Sequence, residues 1–357
     1  MQPTQRLYSL DALRGLSVAA MLIVNNQGNW DAVFSWVEHA HWHGVNAADY
    51  IFPLFLFIVG ASFELTSAKT ASLTSSQQAS MVLRRATRLF AFGISLHLIA
   101  MCLIPGREFR LLGVLQRIAI CYAVLGLVYS YWRSSWQQLL FVAGLLLLSG
   151  LSLYWGGNLL PHQNLADKID TALLGKLAWS FDPNSGLAQE PEGILSSLGA
   201  IVSTCLGMFA MRLLRRGGLA QLLAYAAALL LMALLCHSVQ DWNKHLWTPA
   251  FALWTGAWSG FLLAAAHYLI DQRGLPAIGR AMGVNAIGVY GAAWVLTCVM
   301  AWHDLQGAVY RPLAASLSQL GLSQPLHLAS LVYALLNTAI FCVLAHYAWR
   351  RNWRWVI

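Results

Sequence analysis

Three imidazoles and two carboxylates crowd into residues 36–49: His39, His41 and His43, with Glu38 and Asp49. A neutral histidine accepts a proton near working pH, so the stretch reads as a general-base site. His39 and His43 are four residues apart and would share one face of a helix. Zinc would also suit three imidazoles, but there is no H-E-x-x-H arrangement and no further ligand group, so no metal is expected. The plainer reading is a His- and Trp-rich loop in the aromatic belt at a membrane surface.

A second anomaly is Arg117, in Leu115-Gln116-Arg117-Ile118 within an apolar run. A charge inside a membrane span is costly and marks function by default. Guanidinium suits phosphate and carbonyl oxygens, which favours an anionic ligand. The alternative is a helix-gluing ion pair with Asp49 or Glu64. Asp11 and Arg14 stand where the first apolar run begins, a place where an acid also caps a helix. Asn25 closes that run, and a buried Asn can equally bond between helices. Two further clusters, Asp241-Trp242-Asn243-Lys244-His245-Leu246-Trp247-Thr248 and Gly283-Val284-Asn285, suit packing and ligand binding equally well.

Membrane helices have to position these residues. Of the 357 residues, 58% are hydrophobic and 10% charged, against about 25% charged in a soluble domain. Ten segments approach the ~20 apolar residues that a crossing needs: 12–25, 47–65, 83–104, 111–132, 139–155, 194–214, 219–236, 247–270, 282–302 and 326–349. With the N-terminus inside, the inner loops carry fifteen Lys and Arg and the outer loops six. That positive-inside bias accounts for the net charge of +8 without nucleic acid. An even count returns the C-terminus to the inside and leaves His39 and Asp49 toward the outer face. The six cysteines lie in apolar runs with no C-x-x-C pair and read as small buried hydrophobes. Arg14 interrupts the first apolar run, so a retained helix is expected there rather than a cleaved signal. Residues 156–192 form one long outer loop. Within it, 164–179 has helical apolar spacing with Asp167, Lys168 and Asp170 opposite, suited to an interfacial or lid helix. The expectation is an all-α, polytopic membrane helix bundle of about ten transmembrane helices. Both termini are cytoplasmic, and residues 1–357 form a single domain.

Several segments, in order, resemble one family. Arg6-Leu7-x-Ser9-Leu10-Asp11-Ala12-x-Arg14-Gly15, then Val24-Asn25, then His39-Ala40-x-Trp42-His43-Gly44 and Asp49-x-x-Phe52-Pro53-x-Phe55-x-Phe57-Ile58-x-Gly60 are similar to the heparan-α-glucosaminide N-acetyltransferase family of transmembrane acetyltransferases. Gly113-Val114-Leu115-Gln116-Arg117-Ile118, Pro191-Glu192-Gly193-Ile194-Leu195, Asn243-Lys244-x-Leu246-Trp247-Thr248 and Gly283-Val284-Asn285-Ala286-Ile287 follow in the same order, so the resemblance covers nearly the whole chain. It implies that acetyl-CoA docks from the cytosol. The acetyl group would reach the amine of a glucosamine-type sugar or oligosaccharide on the periplasmic side of a bacterial inner membrane. By motif position His39 is the catalytic histidine, with Asn25 near the acetyl group and Asp49 or Glu38 to orient the ring. Asp11, Arg14, Gln116, Arg117 and Asn285 fall to the acetyl-CoA side. Trp42, His43, Glu192, Asn243, Lys244 and Trp247 fall to the acceptor side. The family also implies a homodimer in membrane lipid. Two departures stand out: Glu190-Pro191-Glu192-Gly193 replaces a frequent Asp-Pro-Glu-Gly, and the Asn25–His39 spacing is longer than in the animal enzyme. The competing reading is an inner-membrane amino-sugar transporter without acetyl transfer. Mid-membrane polar residues would serve that too, although no inverted repeat is visible.

Overall fold

The computed structural model describes residues 6–70 and 72–355; residues 1–5, 71, 356 and 357 of the expected domain lie outside them. Among the described residues the chain is mostly helical: α1 (Tyr8–Asn25), α2 (Ile51–Ser67), α3 (Ser75–Leu103), α4 (Val114–Tyr131), α5 (Ser135–Trp155), α6 (Leu165–Leu173), α7 (Ile194–His237), α8 (Pro249–Ala266), α9 (Arg280–Val284), α10 (Ala286–Trp302), α11 (Leu305–Gln319) and α12 (Pro325–Arg350). Two short strands, β1 (Ser180–Asp182) and β2 (Leu187–Gln189), pair antiparallel between α6 and α7.

Each of the ten apolar segments falls on these helices, 282–302 being split between α9 and α10 at Asn285. Among the described residues, seven helices are long and apolar enough to cross a membrane, or eight if α10 and α11, bent by 82°, form one span. The difference from ten lies in α1, which carries Asp11 and Arg14, in the short α10, and in α7. A straight helix of 44 residues would be about 66 Å long, roughly twice the hydrocarbon core. Gly218, with φ 69°, breaks α7 in a left-handed conformation that favours glycine. The Tyr225 hydroxyl then donates to the Leu206 carbonyl at 3.2 Å across 19 residues. Only two arms folded back on each other allow that contact.

Glycine sets the closest helix crossings. A Cβ on Gly60 of α2 would stand 1.8 Å from the Thr204 carbonyl oxygen of α7, and one on Gly207 would stand 1.8 Å from that of Phe57. Small residues let membrane helices touch backbone to backbone in this way. The same holds for Gly15 of α1 and Gly283 of α9: a Cβ on Gly283 would meet the Asp11 carbonyl oxygen at 1.8 Å. The Asp-Ala-Leu-Arg-Gly and Gly-Val-Asn motifs are thus two sides of one contact. Beside α2, Arg212 forks onto Glu64 at 2.9 and 3.1 Å and donates to Gln138 at 2.8 Å, all of it buried.

The long segment before α7 differs from expectation. Its helix α6 is present, but Asp167 and Asp170 face inward, while Leu173 and Leu177 are exposed. The reason is helix-end chemistry. Asp170 Oδ1 accepts the Ile194 N–H at 2.9 Å, satisfying an orphan donor at the start of α7. Asp167 accepts from the Asn164 amide at 2.7 Å. Burial pushes the Asp170 carboxyl up to about 6, with Glu190 adding to the rise.

Candidate active site

The site is organised around one carboxylate. Asp49 is 1% exposed and stands in a short 3₁₀ turn, Ala47–Tyr50, that leads into α2. Its Oδ2 accepts the Asn46 N–H at 2.9 Å and the Ala40 N–H at 3.0 Å, so it folds the preceding loop around itself. Its Oδ1 accepts from His39 Nδ1 at 2.8 Å. Residues 36–46 are irregular rather than helical, so His39 and His43 do not share a helix face. The hydrogen bonds that Asp49 offers compete with helix formation and win.

With its Nδ1–H given to Asp49, His39 presents Nε2 as an acceptor. Lys244 Nζ lies against the ring, 2.9 Å from Nδ1 and 3.1 Å from Nε2, and 3.4 Å from Asp49 Oδ1. Lys244 reaches that point because its loop is pinned on both sides. Asn243, fully buried, accepts the Leu246 N–H at 2.9 Å; Thr248 caps α8 by accepting from Phe251 and donates to the Asp241 carbonyl at 2.9 Å. Trp247, also buried, donates to Ser203 at 3.0 Å. Burial lowers the Lys244 ammonium below its usual range, partly offset by Asp49 and Glu192.

Glu192 closes the other wall. Arg110 forks onto Glu190 and Glu192 together. Burial pushes both carboxyls up; at Glu192, Arg110, Arg117 and Lys244 more than offset it and hold the group below its usual range. At Glu190 burial prevails over Arg110 and the group stays above it. His39, Lys244, Glu192 and Asn25 line one cavity of about 100 Å³, floored by Phe52 and Val114. Asn25 is exposed to it and, among the described residues, makes no side-chain hydrogen bond.

A second cavity, of about 270 Å³, lies further along the same helix faces. Phe55 of α2 and Ile118 of α4 are one turn on from Phe52 and Val114, and Arg14, Arg85, Tyr122 and Gly283 complete its rim. Arg14 and Asn25, eleven residues apart on α1, are separated by about 16 Å of helix. Arg14 is held by Asp11 at 3.3 Å, the Gly283 carbonyl at 3.3 Å and Ser62. Arg85 and Tyr122 are shared with a basin of about 510 Å³ that also takes in Arg84 and Arg88. Three arginines and a tier of cavities suit a long ligand with an anionic head, and that fits the polyphosphate and thin arm of CoA.

Other nominated residues lie elsewhere or act at one remove. Arg117 is buried and lines neither cavity. It donates to the Gly193 carbonyl at 3.2 Å and to Ser196, and its guanidinium lies 5.2 Å from the Trp247 ring. It therefore braces α4 against the start of α7, and its expected partners are taken: Glu64 by Arg212, Asp49 by His39 and Lys244. Gln116 is buried beside Gly93 and His97, away from the arginines. Asn285 spends its amide on the chain beyond α12, donating to the Trp353 carbonyl and accepting from the Trp355 N–H. Asn243 and Trp247 are too buried to touch an acceptor; they position Lys244. Trp42 donates to the Leu159 carbonyl at 2.8 Å and stacks on His245, and His43 lies 3.9 Å from Asp241. Arg110, one of the six outer-loop Lys and Arg, is the residue that holds Glu192 in place. Its one advance signal was its position three residues before Gly113.

Fold and site together define a multi-pass helical membrane protein with a carboxylate–imidazole–ammonium cluster at one end and a basic-mouthed cavity at the other. Residues 6–166 match the family model described as heparan-alpha-glucosaminide N-acetyltransferase, catalytic. The chain is 27% identical to heparan-alpha-glucosaminide N-acetyltransferase of Homo sapiens and 26% identical to that of Mus musculus, each over 76% of this chain and 50% of the relative. Over these residues the chain is similar to the heparan-α-glucosaminide N-acetyltransferase family. It spans about half the length of the curated relatives it matches.

Proposed function

We propose that this chain moves acetyl from acetyl-CoA, taken at the Arg84–Arg85–Arg88 end, to the amine of a glucosamine-type sugar at the His39 end. The observation that carries the reading is the His39–Asp49–Lys244 cluster at the head of cavities that share helix faces with the arginine basin. An amine is protonated at neutral pH and must lose a proton before it attacks. Glu192, held ionised, attracts the ammonium form. His39 Nε2 takes the proton as Lys244 leaves it, and Asp49 stabilises the imidazolium. The developing oxyanion needs donors, and the Asn25 amide and the displaced Lys244 ammonium are the free ones at the cavity. His39 releases that first proton to solvent, takes the second from the nitrogen of the tetrahedral adduct and gives it to the departing thiolate, so one proton is freed overall and the cluster ends as it began. In this reading the bundle has ten spans in a bacterial inner membrane, both termini are cytoplasmic, and the His39 end faces the periplasm. The positive-inside count supports that orientation.

Purified protein given radiolabelled acetyl-CoA and glucosamine should yield N-acetylated sugar. His39→Ala should abolish transfer and leave acetyl-CoA binding intact. Near-wild-type turnover by that variant sinks the assignment. Uptake of unmodified sugar into proteoliposomes without acetylation would favour transport instead.

A further inference from the structure

We infer that the segment following α12 is part of the donor site, with Trp355 as a stacking platform for the adenine base of the CoA nucleotide. The inference rests on acetyl-CoA being the donor. Trp355 forms one wall of the 270 Å³ cavity together with Arg14 and Arg85, yet the residue is 62% exposed. It is held in place from both sides. Asn285 donates to the Trp353 carbonyl at 3.1 Å and accepts from the Trp355 N–H at 2.8 Å. The indole backs onto α10 at Gly288, where a Cβ would stand 3.1 Å from a ring carbon.

An exposed indole at a membrane edge is ordinarily a belt residue. A belt residue needs neither a clamped backbone nor a glycine cut out beneath its ring. What surrounds Trp355 is also specific. Arg85 belongs both to this cavity and to the neighbouring basin with Arg84 and Arg88. Cations beside an open aromatic face match a phosphorylated purine: the guanidinium groups take phosphate oxygens and the indole takes the base. Asn285 then serves the donor without touching it, as the positioning residue for Trp355.

The test compares acetyl-CoA with S-acetylpantetheine, which lacks the nucleotide, by equilibrium binding to the full chain in nanodiscs. Trp355→Ala should weaken acetyl-CoA binding roughly tenfold, the loss of one base-stacking contact, and leave S-acetylpantetheine unchanged. Trp355→Phe should keep most of the affinity, and Asn285→Ala should lose as much as Trp355→Ala. Equal weakening of both donors, or of neither, overturns the platform. Trp355-dependent acetyl-CoA binding without any transfer would keep the platform and sink the acetyltransferase reading. Transfer with acetyl-CoA affinity indifferent to Trp355→Ala would do the reverse. A wild-type chain that binds no acetyl-CoA would sink both.

Discussion

Asp49→Asn isolates the chemistry of the cluster from its shape. The carboxylate accepts from four groups: His39, Ala40, Asn46 and Lys244. An asparagine of the same outline keeps its carbonyl oxygen for the two backbone N–H groups. Its NH₂ then points at His39 Nδ1 and Lys244, where only an acceptor is tolerated. The imidazole must move its proton to Nε2, and the base is lost from the face that meets the cavity. General-base catalysis is worth about 10²–10⁴ in rate, and a wrong tautomer in a comparable triad costs about 10⁴. We expect kcat to fall by about 10³–10⁴, some 4–5.5 kcal/mol, with acetyl-CoA binding unchanged. Stability should drop by about 1–3 kcal/mol, because a half-buried ammonium loses its acceptor. The assay is steady-state acetyl transfer, with thermal unfolding in detergent to confirm the fold. Groups that act as a unit are not additive, so His39→Ala/Asp49→Asn should be no slower than His39→Ala alone. A kcat for Asp49→Asn within tenfold of wild type would refute the reasoning, as would a double variant slower by the product of the two losses.

Two further outcomes test the frame of the site. Gly60→Ala forces a Cβ against the Thr204 carbonyl and should destabilise by at least the ~1–3 kcal/mol of overpacking. Gly144→Ala, with nothing within 4 Å of the new Cβ, should not lower the melting temperature; equal effects would contradict the close approach of α2 and α7. Asp170 titrates at about 6 because it is buried, so the folded chain binds its proton more tightly than the unfolded chain does. The stability this group contributes is therefore full below about pH 4 and is lost as pH rises toward 6. Asp170→Asn keeps an acceptor for Ile194 and lacks that titration. Its melting temperature should gain on wild type between pH 4 and 6 and run parallel above. A difference that stays flat through the window would show that Asp170 is not titrating there.

His39, Asp49, Asn25 and Lys244 were all legible as candidates, because each is a polar type stranded among apolar or aromatic neighbours. Their roles were less legible. Lys244 read as an acceptor contact, and only the pinned loop around Asn243 and Trp247 brings it within reach of His39. Arg117 read as a ligand residue because its charge lies in an apolar run; in the fold it donates to the Gly193 carbonyl and Ser196, and its Nε stays buried without a partner among the described residues. Asp167 and Asp170 read as the wet face of a lid helix, since spacing alone cannot reveal that the N-terminus of α7 needs an acceptor there.

The helical architecture and the placement of charge follow from the sequence itself. Apolar runs of that length, with so few charges, must satisfy their backbone as helices in lipid, whatever their neighbours. The site was decided only by tertiary structure. Asp49 meets Lys244, and Arg110 meets Glu192, across 195 and 82 positions of chain. Such pairings depend on which helices touch, and here that is set by backbone contacts at Gly60, Gly207, Gly15 and Gly283. A glycine in a sequence does not say which backbone will fill the space it leaves.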